Sequence, residues 1–274
     1  MWASFAFALL VGEPLLAGAI EVTYTTSSSR DSFGNNQSIT SVVFDADVTE
    51  IDSVAFRNCT KLGGHIDLSD TKVTQIGNYA FYNTNITTVT FPALLNRIGD
   101  HAFYECSNLK GHIDLSITNV TQIEWNTFRS TKIERVFFPK SLEQIGDHAF
   151  YECTNLGGDI NISSTNVTRI GDSAFYLTNI ERVFFPTSLE QIGTFAFDYC
   201  ANLSGHIDLA NVTQIGKYAF RKTNVKSVSF PASLNHIGEG AFYKCANLGG
   251  DINLSDTNVT QIELYAFYET NIEN

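Results

Sequence analysis

Ile133-Glu134-Arg135-Val136-Phe137-Phe138-Pro139-Lys140-Ser141-Leu142-Glu143-Gln144-Ile145-Gly146-Asp147-His148-Ala149-Phe150-Tyr151-Glu152-Cys153 is the stretch whose reading decides the fold. Variants of it recur from about residue 39 to the last residue. An aromatic step marks each copy, with Phe56, Phe81, Phe103, Phe128, Phe150, Phe175, Phe197, Phe220, Phe242 and Phe267 at its end. The gaps between them run 25, 22, 25, 22, 25, 22, 23, 22 and 25 residues. Two alternating units therefore make a super-repeat of about 47 residues. Periods of this size signal a solenoid, in which each unit is one lap that cannot bury its apolar face alone.

In the quoted unit the apolar positions are Ile133, Val136, Phe138, Leu142, Ile145, Ala149, Phe150 and Cys153. Their spacing fits neither a long helix nor one long strand. Val136 and Phe138 alternate with Arg135 and Phe137, which predicts a short strand over 135–138 with one face inward. Pro139 ends it, since proline has no N–H to give a ladder. Ile145-Gly146 marks a bend, where glycine tolerates a left-handed or crowded backbone. The return that begins at Ala149-Phe150 is expected to be a short helical turn or irregular. In the longer unit the strand is the Gly-His-Ile-Asp-Leu segment, with Ile113 and Leu115 inward and His112 and Asp114 outward. The same reading places further strands at 65–68, 88–91, 159–162, 182–185, 206–209, 227–230 and 251–254.

The pattern Leu/Ile-x-x-Val-x-Phe-Pro-x-Ser-Leu-x-x-Ile-Gly-x-x-Ala-Phe-x-x-Cys resembles the BspA-type leucine-rich repeat of bacterial and protist surface proteins. It stands best in residues 133–153, 180–200 and 225–245, and the resemblance covers residues 39–274. It implies an α/β-type leucine-rich repeat solenoid, right-handed, of about ten laps, with one short parallel strand per lap. It also implies a secreted or cell-surface adhesion module without enzymatic activity. The alternating long unit, with Gly-His-Ile-Asp-Leu-Ser in place of the strand-Pro segment, departs from the family pattern and leaves the local loop geometry open.

With 274 residues, 43% apolar content and a net charge of −12, the chain reads as a globular protein with ample core. Its 17 Lys and Arg form no basic cluster, so nucleic acid is not an expected partner, nor is an anionic membrane. Residues 1–19 read as a signal peptide: an apolar run Phe5–Val11 precedes Ala17-Gly18-Ala19. No Lys or Arg precedes that run, and Glu13-Pro14 interrupts it. The same two residues argue against a spanning helix, so no membrane insertion of the mature chain is expected. Residues 20–38 form an N-terminal lead-in or cap, and 39–274 the solenoid. The chain stops where another strand begins, at Thr270-Asn271-Ile272, without a polar cap. The natural protein is therefore expected to continue, or the open end to self-associate end to end.

Cys59, Cys106, Cys153, Cys200 and Cys245 recur once per super-repeat, with Thr84, Thr131, Thr178, Thr223 and Thr270 in that place on alternate laps. Cysteines two laps apart lie about 9.6 Å from one another by strand spacing. A disulfide needs Cα atoms within about 6.8 Å. The column is therefore read as small buried core residues. His65, His112 and His206, each two residues before an aspartate, read as a solvated polar ladder rather than metal ligands. No cofactor and no catalytic residue is expected. Asn119, Asn166, Asn211 and Asn258 form one column of Asn-x-Thr sequons. They would carry glycans in a secreted eukaryotic protein, and otherwise satisfy loop backbone. A row of tyrosines after the aromatic step, interrupted by Arg57, Arg129, Asp198 and Arg221, is expected to cover the core edge.

The outward strand face is where a solenoid binds. Most of that face is small or polar, but two laps put Arg135 with Phe137 and Arg182 with Phe184 on it, with Asn161 on the lap between. Exposed phenylalanines beside arginines have the composition of an interface hot spot. The expected function is binding of a protein or glycan ligand there. A structural spacer without a specific ligand is the alternative, and a Thr-rich ice-binding array is a third reading.

Overall fold

The computed structural model describes residues 19–26, 33–250 and 252–272. The signal-peptide reading of residues 1–19 thus lies outside the described residues apart from Ala19. The chain winds into a parallel β-solenoid of about 11 laps. Each complete lap carries two strands rather than the one expected. The second is a two-residue strand on the Gln-Ile step, such as Gln144–Ile145. Nine of these, from Glu50–Ile51 to His236–Ile237, form one continuous parallel ladder.

The longer strands behave differently. A five-residue strand, such as Lys110–Asp114, pairs in parallel with the six-residue strand of the next lap, Lys132–Phe137. The same coupling joins Gly63–Asp67 to Asn85–Thr90, Gly157–Asn161 to Asn179–Phe184, and Ser204–Asp208 to Asn224–Ser229. No ladder runs from one couple to the next among the described residues. Each couple contains a register slip, between Ile133 and Arg135 in this one. Gly111, opposite Ile133, has φ +72°. Its left-handed backbone shortens one strand while Glu134 is the extra residue on the other, which makes a bulge. The bulge explains why the strand begins three residues earlier than expected. Ile133 and Val136 both face inward across the extra residue, so strict alternation fails there.

The returns are not helical: the described residues contain no helix. Around Phe56, the N–H groups of Ala55, Arg57 and Cys59 donate three residues back, to Asp52, Val54 and Phe56. Those of Val54, Phe56 and Asn58 instead donate to the carbonyls of Asn78, Ala80 and Tyr82 on the next lap. A helix needs every N–H for its own ladder; here every second one is spent on the neighbour. The residues two before and two after the ring accordingly sit at positive φ, as in Val54 (60°) and Asn58 (57°), or His148 (56°) and Glu152 (57°). Each such residue costs about 1 kcal/mol or more, offset by the interlap bonds it permits.

The ten aromatic-step rings form one internal file, and Phe33 adds an eleventh at its head. Successive rings lie 5.2–5.6 Å apart and within 9° of parallel. Phe138, before Pro139, packs edge-on against Phe150 at 6.1 Å. All five cysteines are free and buried. Cys153 Sγ donates to the Phe128 carbonyl at 3.0 Å and touches Thr131 Oγ1 at 3.3 Å, a pattern repeated down the column.

The glycine of the Ile-Gly step serves close approach. A Cβ on Gly171 would fall 2.5 Å from the Asp147 backbone nitrogen and 2.6 Å from the Gly146 carbonyl carbon on the preceding lap. Gly171→Ala is expected to cost about 1–3 kcal/mol by overpacking, read as a lower denaturant midpoint. Where Glu124 replaces this glycine, the ladder to the preceding lap keeps only the Ile98–Ile123 pair, while that to the next lap keeps both Gln122–Gln144 and Ile123–Ile145.

Candidate ligand-binding face

The five- and six-residue strands align two outward columns of side chains. Register pairs His65 with Thr88 and Asp67 with Thr90 in one couple, and His112 with Arg135 and Asp114 with Phe137 in the next. It then pairs Asp159 with Arg182 and Asn161 with Phe184, and finally His206 with Ser227 and Asp208 with Ser229. The first and last of these four couples satisfy themselves. His65 Nδ1 lies 2.8 Å from Thr88 Oγ1, and its Nε2 lies 3.2 Å from Thr90 Oγ1. His206 repeats this with Ser227 at 2.9 Å and Ser229 at 3.1 Å.

The Asp and Asn residues of the second column are turn caps. Asp67, Asp114, Asn161, Asp208 and Asn253 each accept, at Oδ1, the backbone N–H two residues on, at 2.9–3.1 Å. These are Asx turns. The bonds from Ser69 hold the Asp67 carboxyl below its ordinary range, the backbone N–H first and the hydroxyl second. Asn161, expected to contact a ligand, thus commits its Oδ1 to Ser163; its Nδ2 makes no hydrogen bond to the described residues.

The central couples carry the four other expected residues. Phe137 is 45% and Phe184 42% exposed, whereas Phe138 and Phe185 pack against the core. Phe137 meets the His112 ring edge-to-face at 5.8 Å. Arg182 grips Asp159 through Nε and Nη2 at 2.8 and 2.7 Å, with its guanidinium 5.7 Å from the Phe184 centroid. Arg135 has no such partner among the described residues. Its Nη2 lies 3.8 Å from where a Cβ on Gly158 would stand, over the seam between two couples. Two exposed rings therefore sit two laps apart, each beside an arginine, with polar groups and a bare glycine between them. Among the described residues, no group of three His, Cys, Asp or Glu side chains is placed to hold a metal ion.

The four sequon asparagines are exposed. Each also stitches laps together: Nδ2 of Asn211 and Asn258 donates to the carbonyls of Thr187 and Ala232 at 2.8 and 2.9 Å. Asn119 and Asn166 do the same to Ala93 and Lys140 at 3.3 and 3.4 Å.

On the return side, the tyrosine row is half-buried and interleaved with cations. The Arg129 guanidinium lies 5.2 Å from the Tyr104 centroid and 4.4 Å from that of Tyr151. Arg221 packs over Tyr199 and Tyr218 while gripping the fully buried Asp198 at 2.6 and 2.7 Å. Trp125, 52% exposed and edge-on to His101 at 5.0 Å, belongs to this side and escaped the sequence reading. Its signal was the break in pattern at Glu124-Trp125-Asn126-Thr127, where the other units read Gly-x-x-Ala or close to it.

The chain matches the family described as the BspA type leucine-rich repeat region, in six copies, over residues 26–157 and 168–274. Among solved structures it is similar to a leucine-rich cell surface protein from Faecalibacterium prausnitzii, with 23% identity and a TM-score of 0.50. That likeness covers 92% of this chain and 79% of the other. A leucine-rich repeat protein from Eubacterium ventriosum shares 18% identity over 87% of this chain and 84% of its own, at a TM-score of 0.44. One from Bacteroides ovatus shares 22% identity over 93% and 91%, at 0.40. At these identities the likeness concerns the fold. No curated protein matches the chain.

Proposed function

Since this chain belongs to the BspA-type leucine-rich repeat family, we propose that it is a non-enzymatic recognition module, secreted or displayed at a cell surface. Its ligand lies along the strand face over Arg135, Phe137, Asn161, Arg182 and Phe184. The observation that carries this reading is the contrast along one face. The flanking couples, Gly63–Asp67 with Asn85–Thr90 and Ser204–Asp208 with Asn224–Ser229, close their own hydrogen bonds, while the central couples leave two phenylalanines to solvent and, among the described residues, Arg135 unpaired. Large exposed rings beside arginines are what an interface core uses. The cell-surface setting is supported by the F. prausnitzii neighbour, itself described as a cell surface protein. Among the described residues, no helix is long and apolar enough to cross a membrane.

The double variant F137S/F184S is expected to lose capture on arrays of purified secreted proteins and glycans while its thermal midpoint stays within about 2 °C of the parent, since neither ring is in the core. Capture that survives the double change would refute the assignment of this face. The second reading is a spacer that holds other parts of a surface layer apart. The Asx turns favour it, because they give the Asp and Asn column a purely architectural task. A spacer shows no capture with or without the two rings.

A further inference from the structure

We infer that the ligand of this face is a linear, neutral, β-linked polysaccharide lying along the solenoid axis, with Phe137 and Phe184 as platforms for alternate sugars. This rests on the recognition reading above and names the class of ligand. Three observations carry it.

The first is spacing. The two rings end equivalent strands two laps apart, Phe137 opposite Asp114 and Phe184 opposite Asn161, which lies on the lap between them. Two laps span about 11 Å, since the file rings of these laps step by 5.3 Å each. In an extended β-1,4-linked chain of pyranoses, alternate sugars present the same face, one disaccharide apart, and that step is close to two laps. Stacked rings of one column thus meet every second sugar in the same orientation, through the apolar C–H face of each pyranose.

The second is what separates the rings. A protein partner wants a contiguous apolar centre sealed by a rim. Here the ground between the rings is polar and low. Gly158 contributes no side chain, and Asn161 Nδ2 and the Arg135 guanidinium are unspent donors among the described residues. Two isolated platforms with hydrogen-bond donors between them suit the hydroxyls of the intervening sugar better than a hydrophobic hot spot.

The third is charge. Arg182 is neutralised by Asp159. Lys110, Lys132 and Arg135 then stand against Asp114, Glu134 and Glu181 on the same strands, so the face carries no net charge. A polyanionic glycan or acidic peptide gains no net attraction from this face and meets a chain of net charge −12, which leaves a neutral chain as the fitting class.

The test is calorimetric titration of the full chain with cello- and chito-oligosaccharides of two to eight units, and with heparin as the polyanionic comparison. Affinity is expected to rise roughly tenfold between the disaccharide and the oligomers long enough to reach both rings, the step a second aromatic platform supplies. Phe184→Ala should abolish that length dependence, and Phe184→Tyr should restore it. His65→Ala, in a flanking couple, should leave it unchanged. Thermal unfolding of each variant confirms that the fold is intact. A flat length dependence, absence of binding to every neutral oligomer, or tighter binding of heparin overturns the inference. If a protein ligand binds through the same two rings while the glycans do not, the inference fails and the recognition face stands. Glycan binding that survives loss of both rings overturns both.

Discussion

Phe150→Ala is expected to lower the unfolding free energy by about 3–5 kcal/mol, whereas Phe137→Ala, only thirteen positions earlier, should cost less than about 1 kcal/mol. The two rings differ in what surrounds them. Phe150 is fully buried, with Phe128 5.6 Å away on one side, Phe175 5.3 Å away on the other, and Phe138 edge-on at 6.1 Å. Removing it leaves a void that neither neighbouring lap can collapse into, because each is pinned by three interlap hydrogen bonds at that return: from His148, Phe150 and Glu152 to Asp172, Ala174 and Tyr176 on one side. The cost falls on two interfaces at once. In a solenoid, where stability is a sum of lap and interface terms, weakening a central interface also divides the array. Urea unfolding followed by circular dichroism should therefore lose cooperativity as well as midpoint. An unbroken single transition at the parent midpoint would contradict the file of rings as the main element of cohesion.

The second large effect is on pH. Burial pushes the thiols of Cys106, Cys153 and Cys200 up to about 12, and that of Cys245 up to about 11. An unfolded thiol ionises near 9. Below that value the thiols are protonated in both states and their burial is without electrostatic cost. As pH rises past 9, the unfolded chain releases protons that the folded one retains, so stability falls by about 1.4 kcal/mol per thiol per pH unit. The loss continues until the folded values are reached. Four such thiols acting together remove about 5 kcal/mol per unit, so the chain is expected to unfold cooperatively between pH 9 and 11. It should stay inert to alkylating reagents at pH 8 until denatured. Replacing the four by threonine, which already fills this place on the alternate laps, should move the alkaline midpoint upward. An unchanged midpoint would show that some other group governs alkaline unfolding.

The file and the cysteine column were legible because burial is written in residue type: an aromatic or a small side chain recurs at a fixed step, and only one stacking satisfies all copies. Phe33 was missed because the lap around it lacks the cysteine and the alanine that flag the others. The returns were not legible at all. Leu177 and Phe195, at φ 57° and 58°, carry no glycine or asparagine signal for a left-handed backbone. Their conformation is imposed from outside, by N–H groups drawn to the next lap. The candidate site divides the same way. That Phe137 and Phe184 face outward follows from alternation along one strand. That Arg182 is spent on Asp159 while Arg135 is not depends on which residues face each other across a couple, and register within a couple rests on a glycine-opposed bulge no single unit reveals.

The coupling of the long strands in twos bears on how such a gene can change length. An array copied or trimmed by a whole couple keeps every strand with the mate it was built for. Loss of one lap would set two strands of the same kind side by side, both with the compensating residue or both without it. Ancestry should therefore have moved in steps of about 47 residues, and natural length variants of this chain should differ by even numbers of laps.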